Sequence, residues 1–202
     1  MPAPSMVLPN ATPVILAFGD SLTEGYGLER GESFAAQLEA LLQDSHGGAT
    51  VLNAGISGDT TADAVARLPR LLSGLNVRPD LAIVEFGAND VFRGVPIERI
   101  RANLELIVVE LGRCGIPVLL AKMEAPPIFG AFGQACTALY DDIARRYAVP
   151  LFPFFPAGVL ANPALCLRDR IHPNARGAAA IARGARPAVE AALARLAAAP
   201  MD

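Results

Sequence analysis

Residues 14–27 read VILAFGDSLTEGYG. The apolar run Val14, Ile15, Leu16 and Ala17 has the length and composition of a short strand buried on both faces, and Gly19 breaks it. Asp20 and Ser21 then fall where a strand end meets the rim of a sheet, with the Ser21 hydroxyl beside its own backbone N–H. Two readings fit this stretch alone. One is a strand-to-helix turn whose Asp and Ser cap the next segment; the other is a loop that presents a nucleophile.

The following residues repeat the same grammar. Glu32 to Gln43 places Phe34, Leu38, Leu41 and Leu42 at helical spacing, ended by His46, Gly47 and Gly48. Thr50 to Asn53 reads as a second strand, and the loop NAGISG at 53–58 leads to a helix capped by Asp59 or Thr60 and ended by Gly74. Leu81 to Phe86 is a third, nearly continuous apolar strand, interrupted by Glu85 and stopped by Gly87, Ala88, Asn89 and Asp90. Pro96 opens a long helix that closes near Gly112 to Gly115, and Ile116 to Met123 is the fourth strand. An apolar loop at 126–133, a helix over Ala135 to Tyr147, a fifth strand over Val149 to Phe154 and a final helix from Pro173 to about Leu196 complete the chain. Short apolar strands alternating with helices imply an α/β fold of three layers, with a five-stranded parallel sheet, helices on both faces and right-handed crossovers. Ligands of such sheets sit outside the carboxyl ends of the strands.

Composition narrows the classes of function. The 202 residues suit one domain over 14–202 behind a flexible Pro/Ala leader at 1–13. The leader has neither a charged n-region nor an apolar h-region, so it is not an intact signal peptide. A net charge of −3 with no basic block leaves no electrostatic footprint for nucleic acid or an anionic membrane. No run reaches ~18 apolar residues, the length needed to span a bilayer. Cys114, Cys136 and Cys166 lack any CxxC pairing, and the two histidines, His46 and His172, are too few for the usual zinc sites, so neither a disulfide framework nor a metal site is expected. His46 reads as a helix C-terminal residue, where the helix dipole already favours it.

The polar clusters after the strands form one constellation. Ser21 follows the first strand, Gly58 the second and Asn89 the third, while Asp169 and His172 precede the last helix. A serine hydroxyl is a poor nucleophile without an adjacent base, and His172 is the candidate once His46 is set aside. Pro173 disfavours helical backbone at His172, so Asp169 and His172 share a loop. There the carboxylate can hold one ring nitrogen and leave the other facing Ser21. The Ser21 N–H, the Gly58 N–H and the Asn89 side-chain amide are three donors available to an oxyanion. A glycine at 58 also lets a substrate approach the backbone closely. The apolar loops 91–96 and 126–132, with Phe129 and Phe132, are candidate walls of an acyl groove.

These four blocks, GDSL at 19–22, Gly58 in NAGISGDTT, Asn89 in FGANDVFRG, and Asp169 with His172 in DRIHPN, resemble those of the GDSL, or SGNH, hydrolase superfamily. The wider wording, including PLFPFF, resembles its bacterial thioesterase, arylesterase and lysophospholipase subfamily over residues 14–190. The resemblance implies a flavodoxin-like fold, no cofactor, Ser21 as nucleophile, His172 as base, Asp169 as its orienter, and Ser21, Gly58 and Asn89 as oxyanion donors. It implies a small acyl ester or thioester as substrate, and an extracytoplasmic place if a signal once preceded this chain; a chain complete as written would be cytoplasmic. Two departures stand out. Arg170 replaces the glycine of DGIHPN, and PPIFGAFG lacks the Asn-Tyr often found after the fourth strand. A carbohydrate O-acetylesterase or acyltransferase would use the same residues. A nucleotide-binding module is disfavoured because the turn at 25–30 misses GxGxxG, and an α/β-hydrolase because GxSxG is absent.

Overall fold

The computed structural model describes residues 12–46, 48–125 and 127–198. Residues 1–11 of the expected leader lie outside them. The sheet has five parallel strands, β1 (Val14–Gly19), β2 (Thr50–Gly55), β3 (Leu81–Glu85), β4 (Val118–Lys122) and β5 (Leu151–Pro153), in the order β2-β1-β3-β4-β5. That is the flavodoxin-like order, and the winding reverses between β1 and β3. Every residue of β1 and β3 is buried, as their apolar sequences require, and Glu85 at the end of β3 is buried with them.

Four long helices cross between strands: α2 (Phe34–His46), α3 (Thr61–Ser73), α5 (Ile97–Arg113) and α6 (Gly130–Tyr147); a fifth, α7 (Ala175–Ala198), follows β5. The single-turn helices α1 (Ser21–Glu24) and α4 (Ala88–Phe92) directly follow β1 and β3. α2 packs on α7, whereas α3 packs on α5 and α5 on α6, which gives the two helical layers. Thr60, rather than Asp59, caps α3 in a reciprocal box with Asp63. The histidine His46 is the last residue of α2.

Several boundaries differ from the sequence expectation, and three of them have a plain local cause. β5 is only three residues long, because Pro150 and Pro153 have no N–H to give to a ladder. α6 begins at Gly130 instead of Ala135; Gly133 lies buried within it, so packing outweighs the poor helix propensity of glycine. α7 begins at Ala175 and not at Pro173, because the Asn174 side chain accepts the Gly177 N–H at 3.0 Å and caps it.

Candidate active site

The reversal of winding puts the carboxyl ends of β1 and β3 side by side, and each is followed at once by a one-turn helix. In α1, Asp20 is the N-cap, its Oδ1 accepting the Leu22 N–H at 3.0 Å, and Ser21 occupies the first helical position. The Ser21 N–H is therefore one of the orphan donors of a helix start. Among the described residues, neither it nor the Gly58 N–H has an acceptor. Gly58 adopts φ +86°, a conformation that favours glycine.

The loop before α7 carries the other partners. His172 Nε2 lies 3.0 Å from Ser21 Oγ, across 151 positions of sequence, and His172 Nδ1 lies 2.7 Å from Asp169 Oδ2. The second oxygen of Asp169 accepts the N–H groups of Ile171 at 2.9 Å and His172 at 3.0 Å. A single antiparallel bridge between Cys166 and Pro173 closes this loop, and the Leu167 N–H donates to the His172 carbonyl. Burial works to raise the Asp169 carboxyl, but the His172 ring and the two N–H donors outweigh it and hold it below its ordinary value. An ionised carboxylate, an imidazole oriented by it and a hydroxyl at hydrogen-bond distance form a line along which a proton can move from oxygen to nitrogen. Arg170, the departure from the glycine pattern, adopts φ +62° in this loop, so the backbone keeps the left-handed turn that glycine adopts without steric cost.

Asn89 stands on α4, at the end of β3. Its side-chain nitrogen donates to Asp20 Oδ2 at 3.0 Å and to the Asp59 carbonyl at 2.9 Å. The loop carrying Gly58 is held against α1 by the Ile56 N–H on the Gly19 carbonyl and by Ser57, whose N–H and hydroxyl both donate to Glu24. Arg67 of α3 ties these parts together. Its Nε meets Asp59 at 2.6 Å, its Nη2 donates to the carbonyls of Gly19 and Ala54, and its guanidinium lies 4.5 Å from the Phe18 ring centroid.

Beneath Ser21 lie two buried carboxyl groups. Burial pushes the Asp20 carboxyl up to about 6, although the Leu22 N–H, the charge of His172 and the Asn89 amide pull it down. Glu85, fully buried at the end of β3, accepts from the Asp20 N–H at 3.3 Å and the Thr23 hydroxyl at 2.7 Å, while its Oε1 has no partner among the described residues. Burial, reinforced by the charge of Asp20, raises Glu85 well above the usual carboxylate range.

Beside the Ser21 helix opens an apolar cavity of about 220 Å3, walled by Leu22, Val91, Phe92, Phe129, Tyr140 and Phe155, with Arg170 and Ile171 of the His172 loop. Phe129 packs edge-on against Phe92, with centroids 5.4 Å apart. Phe132 is not on this wall; it sits on the first turn of α6, half-buried against the core. No group of three or more His, Cys, Asp or Glu among the described residues is placed to hold a metal ion.

Residues 17–180 match the model of the GDSL-like lipase/acylhydrolase family. The chain belongs to that family. It is 34% identical to an arylesterase of Vibrio mimicus over 81% of this chain and 82% of that protein. It is 36% identical to thioesterase 1/protease 1/lysophospholipase L1 of Escherichia coli K12, over 81% of this chain and 77% of that protein. The crystal structure of AlinE4, an SGNH-hydrolase family esterase, superposes with a TM-score of 0.74 at 44% identity, covering 94% of this chain and 99% of that one.

In this GDSL hydrolase the sequence places Ser21, Gly58, Asn89, Asp169 and His172 at one sheet rim, and the structure joins Ser21, His172 and Asp169 directly. Sequence reasoning missed three contributors. Asp20 read only as a turn cap, yet it also holds Asn89. Glu85 carried a signal, a carboxyl in an otherwise apolar strand. Arg67 carried none, since a surface-type residue on an amphipathic helix does not announce which end of the sheet it will reach.

Proposed function

We propose that this enzyme hydrolyses carboxylic esters and thioesters through an acyl-enzyme on Ser21. The observation that carries the reading is the unbroken relay from Ser21 Oγ to His172 Nε2, and from His172 Nδ1 to Asp169, set beside an apolar cavity. His172 takes the hydroxyl proton as Ser21 Oγ bonds to the acyl carbon, and Asp169 stabilises the resulting imidazolium. The carbonyl oxygen becomes an oxyanion held by the Ser21 N–H, the Gly58 N–H and the Asn89 amide. The amide draws one hydrogen away from its present acceptor to do so. Collapse expels the alcohol or thiol, which takes the proton from His172. Water then attacks the acyl-enzyme, with His172 again as base, and releases the acid.

The named activities of the relatives, arylesterase and thioesterase/lysophospholipase, suit this chemistry, because all of them transfer an acyl group to water. An apolar cavity of this size favours an acyl chain over an acetyl group on a sugar. Release of p-nitrophenol from acyl esters by the wild type, lost in Ser21→Ala and in His172→Ala while both variants stay folded, is the expected result. Full turnover in either variant would overturn the assignment.

A further inference from the structure

One aromatic ring lies against the histidine of the relay and has no part in the chemistry described so far. Tyr26, two residues beyond α1, packs over His172 with ring centroids 4.5 Å apart and planes inclined by 39°. Backbone hydrogen bonds fix the turn that holds it. Gly25 closes α1 in the left-handed conformation, the Tyr26 N–H donates to the Ser21 carbonyl at 3.1 Å, and the Leu28 N–H returns to Gly25. The nucleophile and this ring are therefore parts of one short rigid unit. Tyr26 is half-exposed, and its hydroxyl has no partner among the described residues, so neither burial nor hydrogen bonding explains its position.

We infer that Tyr26 is a positioning residue for the base: its ring face holds the His172 imidazole in line with Ser21 and stabilises the imidazolium that forms as the serine proton is taken. The inference rests on the proposed role of His172. An aromatic face carries the negative end of a quadrupole and attracts a cation within about 6 Å of its centroid, and 4.5 Å is well inside that range. Covering one face of the imidazole also removes water, which opposes charging. That opposing effect is the smaller one, because the His172 side chain keeps 22% of its exposure. The other groups facing His172 are the Asp169 carboxylate on its own loop, Ser21 on α1 and the charge of Asp20 at the α1 cap; Arg170 lies two residues before it. None of them covers the ring.

Tyr26→Leu separates the two effects, since leucine still excludes water but has no quadrupole. The expected outcome is a two- to five-fold fall in kcat with KM unchanged, and an acid limb of the pH–kcat/KM profile displaced toward lower pH. Tyr26→Phe keeps the ring face and retains the acid limb of the wild type; Tyr26→Trp moves that limb toward higher pH. His172→Ala run in parallel tests the underlying reading. If His172→Ala remains fully active, the role of His172 fails. If His172→Ala is inactive and the Tyr26→Leu and Tyr26→Trp profiles both superimpose on the wild type, the role of Tyr26 fails alone. Thermal unfolding of each variant shows whether the turn itself is intact.

Discussion

Asn89 donates both of its amide hydrogens inside the protein, one to a carboxylate and one to a carbonyl. These two bonds fix the side chain in place before any substrate arrives, and one hydrogen leaves its present acceptor to reach the oxyanion. Asn89→Ala should therefore lower kcat on a p-nitrophenyl ester by a factor on the order of 10² to 10³; a variant with full turnover would remove Asn89 from the oxyanion site. Glu85 is open to a different measurement. Its folded pKa lies above its unfolded one, so folding takes up a proton, and stability falls as pH rises above the ordinary glutamate range toward the folded value. Glu85→Gln removes that linkage. Its Tm should decline less steeply than the wild type's between pH 5 and 8, and parallel slopes would show that Glu85 ionises normally. That Ser21, Gly58, Asn89, Asp169 and His172 gather at one rim of the sheet was legible in the sequence because each follows a strand or precedes a helix. Tyr26 and Arg67 were not, because ring stacking and long-range guanidinium contacts have no sequence period.

The elements that build the site are its shortest ones. α1 and α4 are single turns, below the length at which helical periodicity can be read, and they stand wherever a strand end must change direction within a few residues. Sequence reading treated both as loops. What makes them possible is close backbone approach. A Cβ at Gly55, the last residue of β2, would lie 2.2 Å from the Glu24 backbone nitrogen, so Gly55→Ala must force β2 away from α1. That substitution should destabilise the protein by about 3 kcal/mol in urea unfolding, with loss of activity as the Gly58 loop shifts. Arg67→Leu tests the cross-tie from α3. It leaves Asp59 without its cation and should cost about 3 kcal/mol, and unchanged unfolding would mean that Arg67 is a surface residue.

At the scale of the whole molecule, strand and helix alternation fixed the layers, and the order β2-β1-β3-β4-β5 puts the reversal point under Ser21 and Asn89. Alternation alone does not give strand order, and the apolar cavity was only partly legible. Phe129 is on its wall, but Phe132 sits on a helix that glycine and proline disguised as a loop. An apolar cavity of about 220 Å3 suits an acyl chain of several carbons better than acetate, so kcat/KM across p-nitrophenyl esters should rise beyond the acetate ester and peak at a definite chain length. Phe129→Ala should move that peak to longer chains and Phe132→Ala should leave it in place. The predicted effects on turnover presuppose a covalent intermediate on one serine. Labelling with a serine-directed organophosphate, read by intact mass and peptide mapping, tests that most directly. A single adduct on Ser21, absent from Ser21→Ala and formed far more slowly in His172→Ala, is the predicted result; an adduct on another serine, or loss of activity without one on Ser21, would contradict it.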